Sequence, residues 1–126
     1  MGGRGTYASG NIVPYTYKTI GNIEGVKVLS KIDPLSSGSL PEEAHSSNAY
    51  IQLDNNGTFR RIRFYNEKHL PYFEIDYHIE KGMSKHGEPV IHVHDYLFPG
   101  IENRLPAREA TKNEITQYKK YFKGVD

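Results

Sequence analysis

His92 and His94 stand one residue apart in an otherwise apolar run, and Arg61 and Arg63, then Asp76 and His78, repeat that spacing upstream. Alternate side chains of a strand point to opposite faces, so each set falls on one face if these segments are strands. Imidazoles titrate nearest neutrality, and a pair of them can serve as general acid and general base. An arginine beside them stabilises the charge that builds on a phosphorane. Together these groups suit metal-free cleavage of RNA through its own 2′-hydroxyl, with Tyr50 or another aromatic to stack on a base. A second chemistry is metal binding, because His92 and His94 with His78 or Asp76 form a nitrogen and oxygen set for zinc or another divalent ion. The His-x-His spacing is only weakly specific for that. The third use is non-enzymatic, since tyrosine and arginine are frequent anchors in protein interfaces.

The elements that must position these groups are strands. Ala49 to Leu53 and Thr58 to Tyr65 flank Asp54-Asn55-Asn56-Gly57, residues that tolerate positive φ, which predicts a hairpin. Asn66-Glu67-Lys68-His69 turns the chain into a strand from Tyr72 to Ile79. The loop from Lys81 to Pro89 leads to a strand from Val90 to Tyr96. Short links between successive strands predict an antiparallel meander.

Alternation then gives the meander two unlike faces. Ile51, Leu53, Ile62, Phe64, Phe73, Ile75, Tyr77, Ile79, Ile91, Val93 and Leu97 share the apolar side. Tyr50, Gln52, Arg61, Arg63, Glu74, Asp76, His78, His92 and His94 share the other. The turns place Asp76 opposite His92 or His94, and Arg61 or Arg63 opposite Glu74. The plain reading is a solvated face whose cross-strand Arg–Glu pairs contribute about 0.2–1 kcal/mol each. That reading accounts for the arginines and Glu74 better than for histidines at i and i+2 with a carboxylate opposite. Asp95 falls on the apolar side and is expected to end its strand or to bond a backbone group. His45, His69 and His86 lie in loops, as surface residues. Arg104 and Arg108 flank Leu105-Pro106 as solvated loop residues that can extend a phosphate-binding edge.

After the meander, Thr111 and Glu114 form a capping box, and Ile115, Tyr118 and Phe122 follow on one helical face until Gly124. The expected fold is therefore α+β, an antiparallel meander of four or five strands packed on a C-terminal helix. Residues 1–22 read as a flexible tail with one edge segment at Tyr15-Thr16-Tyr17, and residues 23–126 as a single domain, best defined over 48–122. Ile23 to Ser30 has moderate strand character, and Asp33 to Pro41 is a loop by composition. A chain of 126 residues fits one domain. Its formal charge of +1 gives no overall basic field. The absence of cysteine excludes disulfides, thiolate zinc sites and cysteine nucleophiles. With neither an apolar leader nor a long apolar stretch, a cytoplasmic protein without membrane span or cofactor is expected.

Three runs carry a family resemblance: Arg60-Arg61-Ile62-Arg63-Phe64-Tyr65, Phe73-Glu74-Ile75-Asp76-Tyr77-His78 and His92-Val93-His94-Asp95-Tyr96. Over roughly residues 48–122 they resemble a small domain of Gram-positive bacteria and their phages. That domain occurs in proteins encoded near head-morphogenesis genes and at the C-terminus of polymorphic toxins. The opening Met1-Gly2-Gly3-Arg4-Gly5 is likewise similar to many phage and mobile-element proteins. The layout resembles the barnase/colicin-type ribonuclease group. The resemblance implies a metal-independent endoribonuclease; the polar face itself supplies the expected roles, with His92 and His94 as acid and base, Arg61 and Arg63 on phosphate, Asp76 orienting a histidine and His78 auxiliary. The alternative is a phage accessory protein that binds a phage or host partner through the same face.

Overall fold

The computed structural model describes residues 17–31 and 40–125. They form one seven-stranded sheet in which spatial order equals chain order. The strands are β1 Tyr17–Ile23, β2 Val26–Lys31, β3 Ala49–Leu53, β4 Phe59–Tyr65, β5 Pro71–His78, β6 Val90–Asp95 and β7 Arg108–Glu109. A helix, α1 Lys112–Tyr118, follows and tightens into a 3-10 turn over Lys119–Tyr121. The class is α+β as expected, but seven strands replace the four or five read from the sequence.

The extra strands have identifiable causes. Residues 17–22, assigned above to a flexible tail, belong to β1, and Ile23 to Ser30 is the end of β1, a turn, and most of β2. That turn is Glu24-Gly25, both at positive φ (51° and 85°), the conformation that lets a two-residue link follow the twist of its strands. A register shift between Thr19 and Gly21 leaves Ile20 exposed, so β1 lacks the alternation that marks a strand in sequence. β7 is too short to carry a period. Residues 1–16, with most of the Tyr15-Thr16-Tyr17 segment, and residues 32–39, most of the Asp33–Pro41 loop, lie outside the described residues.

All neighbouring strands are antiparallel except β2 and β3, which pair parallel through Lys27↔Tyr50 and Val28↔Ile51. A parallel neighbour requires a crossover connection, and this one decides what happens to the polar face. Its described part, residues 40–48, lies over that face. The Tyr50 hydroxyl accepts hydrogen bonds from the His45 and Ser46 backbone amides at 3.1 and 3.2 Å. The Tyr65 hydroxyl donates to the Pro41 carbonyl. Leu40 and Ala44 join Tyr17, Leu29, Tyr50 and Tyr65 in a second apolar cluster. A face expected to be solvated is thus covered.

The main core lies on the other side, where Val28, Ile51, Phe59, Ile62, Ile75 and Val93 meet Phe122. Phe59 and Phe122 stack with ring centroids 4.8 Å apart, and Tyr118 contacts Phe64 and Phe73. The Thr111–Glu114 capping box forms as read. Ile115 is exposed, however, because α1 stops at Tyr118 and only its end reaches the sheet. Ile79 and Leu97 are exposed as well, since β5 ends at His78 and β6 at Asp95, before either residue.

Candidate functional site

The β4–β5–β6 register sets the site. Arg61 pairs with Asp76 and Arg63 with Glu74 across β4 and β5; Asp76 pairs with His92 and Glu74 with His94 across β5 and β6. On one face this builds a block of two arginines, two carboxylates and two imidazoles. A β-bulge adds to it. Leu53 pairs with Phe59 but Gln52 with Arg61, so Arg60 is an extra residue in β4. Its Nη1 comes within 4.0 Å of Asp76 Oδ2. The bridge between Tyr96 and Arg104 then folds Arg104 back onto the block.

Glu74 is the anchor. It is fully buried and receives Arg63 Nε on Oε1 at 2.9 Å and Arg104 Nε on Oε2 at 3.1 Å. Tyr96 donates its hydroxyl to Oε1 at 3.1 Å. Burial opposes ionisation of this carboxyl, but the guanidinium groups of Arg63, Arg61 and Arg104 outweigh it and hold Glu74 far below the usual carboxylate range. Asp76 takes Arg61 in a bidentate pair, Nε to Oδ1 at 2.9 Å and Nη2 to Oδ2 at 3.0 Å. Burial and the neighbouring Glu74 charge push Asp76 upward against that pairing.

The imidazoles face the same carboxylate. His92 Nε2 and His94 Nε2 each lie 3.7 Å from Asp76 Oδ2. Their other ring nitrogens are fixed by backbone carbonyls, His92 Nδ1 donating to Val90 at 3.1 Å and His94 Nδ1 to Leu105 at 2.8 Å. A neutral ring that donates from Nδ1 carries its lone pair on Nε2, so both lone pairs point toward Asp76. Carbonyls, rather than Asp76, therefore orient the two rings. Burial lowers the pKa of His92, outweighing the attraction of Asp76.

The expected site residues separate into three groups. Asp76, His92, His94 and Arg61 come together. Arg63 and Tyr50, expected on substrate, are instead buried in structural roles: Arg63 donates to Glu74 and to the Leu40 and Pro41 carbonyls, and Tyr50 holds the crossover. His78, expected as an auxiliary and as a metal ligand, is exposed at the end of β5 opposite Val90. The ligand-type atoms that converge, all within 4.8 Å of one another, belong to Asp76, His92 and His94, so Asp76 replaces His78 in that set.

Arg60, Arg104 and Glu80 form the open rim with Arg61; Arg104 is expected in a loop that can extend a phosphate-binding edge, whereas neither Glu80 nor a separate place for Arg60 is read from the sequence. Their side chains are 22%, 30% and 34% exposed, against 12% for Arg61, whereas Asp76 and His92 are at 2% each. Glu80 Oε1 lies 3.7 Å from His92 Nε2. Arg60 Nη1 is buried without a hydrogen-bond partner among the described residues. Arg60 had a signal in the sequence: Phe59 and Ile62, both core residues, are three apart, a spacing that regular alternation cannot provide.

No helix among the described residues is long and apolar enough to cross a membrane. No family model, no curated protein and no solved structure matches this chain.

Proposed function

We propose that this chain is an endoribonuclease domain that cleaves RNA phosphodiester bonds without a metal, through His92 and His94. The observation that carries this reading is the convergence of two buried Nε2 atoms within a ring of arginines that outnumber the carboxylates. Arg60, Arg61, Arg63 and Arg104 stand against three carboxylates, Glu74, Asp76 and Glu80, and the remaining positive charge invites a phosphate. One imidazole accepts the 2′-hydroxyl proton as that oxygen attacks phosphorus. The other, protonated, gives its proton to the departing 5′-oxygen, leaving a 2′,3′-cyclic phosphate and a 5′-hydroxyl. Asp76 stabilises whichever imidazolium is present, while Arg60, Arg61 and Arg104 bear on the charge of the phosphorane.

Labelled RNA incubated with the protein in EDTA tests the reading by its products. The expected result is a ladder of cyclic-phosphate ends, reduced about 10²–10⁴-fold in His94→Ala. Undiminished cleavage by a folded His94→Ala protein would overturn the assignment. A protein-contact role is favoured by one separate observation, the consecutive exposed Leu97 and Phe98 beyond β6. It predicts a co-purifying partner that Phe98→Ser releases while RNA cleavage is unchanged.

A further inference from the structure

We infer that Asp76, His92 and His94 also form a binding site for a zinc-type divalent ion, and that its occupancy switches the proposed ribonuclease off. The inhibitory half rests on the reading above; the site itself rests on geometry alone. Three ligand atoms of borderline and hard character converge on one point, two imidazole Nε2 atoms each 3.7 Å from one carboxylate oxygen. Around tetrahedral zinc with bonds near 2.0–2.2 Å, neighbouring ligand atoms lie about 3.4 Å apart. Both histidine–carboxylate distances are close to that value, and the two Nε2 atoms, within 4.8 Å of each other, close the rest of the way when the rings tilt onto an ion.

The surroundings are those of metal ligands. Each histidine donates its Nδ1 proton to a backbone carbonyl, Val90 for His92 and Leu105 for His94, which fixes both tautomers with Nε2 as the ligating atom. Asp76 Oδ1 is held by Arg61 Nε at 2.9 Å, which leaves Oδ2 directed at the two rings. Arg61 and Arg104 also donate to Oδ2, at 3.0 and 3.3 Å, and an ion must share that oxygen with them. Glu80 Oε1, 3.7 Å from His92 Nε2 on the open side, offers a further carboxylate. The site holds no sulfur and has imidazole as its main donor, which favours zinc, copper or nickel over magnesium or calcium.

Occupancy and catalysis exclude each other by electron count. General base and general acid both work through an Nε2 lone pair or the proton on it. An ion bound to both nitrogens engages both lone pairs, so neither ring can accept or deliver a proton. The metal is then an inhibitor, not the source of a nucleophile.

The test is zinc titration of the full-length protein by calorimetry, with cobalt absorption as a second readout, beside RNA cleavage at the same occupancies. The expected result is one ion per chain, lost in His92→Ala and His94→Ala and kept in His78→Ala. Glu80→Gln should weaken binding roughly tenfold. Cleavage should fall in step with occupancy and return on adding EDTA. A folded wild-type protein that takes up no zinc in excess would overturn the site. Binding with cleavage that rises would overturn the inhibitory role and make the ion a cofactor. Binding to a chain that cleaves no RNA even in EDTA would overturn the ribonuclease reading, and the off-switch with it, while the titration still establishes the site.

Discussion

Two arginine–carboxylate clusters stand on opposite faces of the sheet, and they differ in charge balance and in burial. On the helix side, Arg108 donates to both oxygens of Asp95 and to both oxygens of Glu114, and its Nη1 also reaches the Glu109 carbonyl. One cation meets two anions there, all three side chains reach solvent, and the ion pairs tie α1 and β7 to the end of β6. On the crossover side, Arg60, Arg61, Arg63 and Arg104 surround Glu74 and Asp76, with both carboxylates buried. Cations are in excess there, and Arg60 Nη1 has no acceptor among the described residues. The tether carries an excess of anions. The second cluster carries an excess of cations, and that excess sits beside two imidazoles.

The largest effect expected from breaking this contrast belongs to Glu74. Removing it by Glu74→Ala strands Arg63 in the interior without its carboxylate, which should cost about 3–5 kcal/mol in urea denaturation. Arg104→Ala comes next, on activity rather than stability. With a rim cation lost, RNA cleavage should fall about 10²-fold or more, and the unfolding midpoint should fall less than in Glu74→Ala, because Arg63 still pairs with Glu74. Arg108→Ala should do the reverse, lowering stability by about 1 kcal/mol or less, because the pair is solvent-exposed, and leaving the cleavage rate unchanged. If Arg104→Ala and Arg108→Ala behaved alike in both assays, the distinction between the clusters would fail.

How much of this was legible follows the same division. The turns narrow Asp76 to His92 or His94 and Glu74 to Arg61 or Arg63, and the observed register chooses His92 and Arg63, because short links fix register only to within a residue pair. Asp95 ends its strand as expected, but its partner is the Arg108 guanidinium rather than a backbone group. The burial of the polar face was not legible. It depends on a parallel β2–β3 pair that sends residues 40–48 across the sheet, and that connection has no period to betray it. Tyr50 and Arg63 therefore read as ligand-facing when they secure the crossover. Arg104 reads as a loop arginine that can extend a phosphate-binding edge, but its pairing with the buried Glu74 could not be read from spacing.

The smallest expected effect is one of pH. Hydrogen bonds from Arg108 hold Glu114 down at about 2, against an ordinary 4.5. Its folded value lies below its unfolded one, so the stabilisation is complete above the ordinary range and is lost as pH falls from about 5 toward about 2. Solvent screening keeps the effect well below what the shift alone implies. Wild type should therefore lose slightly more stability over that interval than Glu114→Gln, measured by urea midpoints at each pH. Equal losses would remove the pair from the account of acid stability.

The most direct test of the central claim is RNA cleavage in EDTA by wild type, His92→Ala and His94→Ala, each checked for retained fold by circular dichroism. Cleavage by wild type that falls about 10²–10⁴-fold in both folded variants is the predicted result. Cleavage that survives in either folded variant, or that wild type shows only after a divalent ion is added, would contradict a metal-free histidine pair.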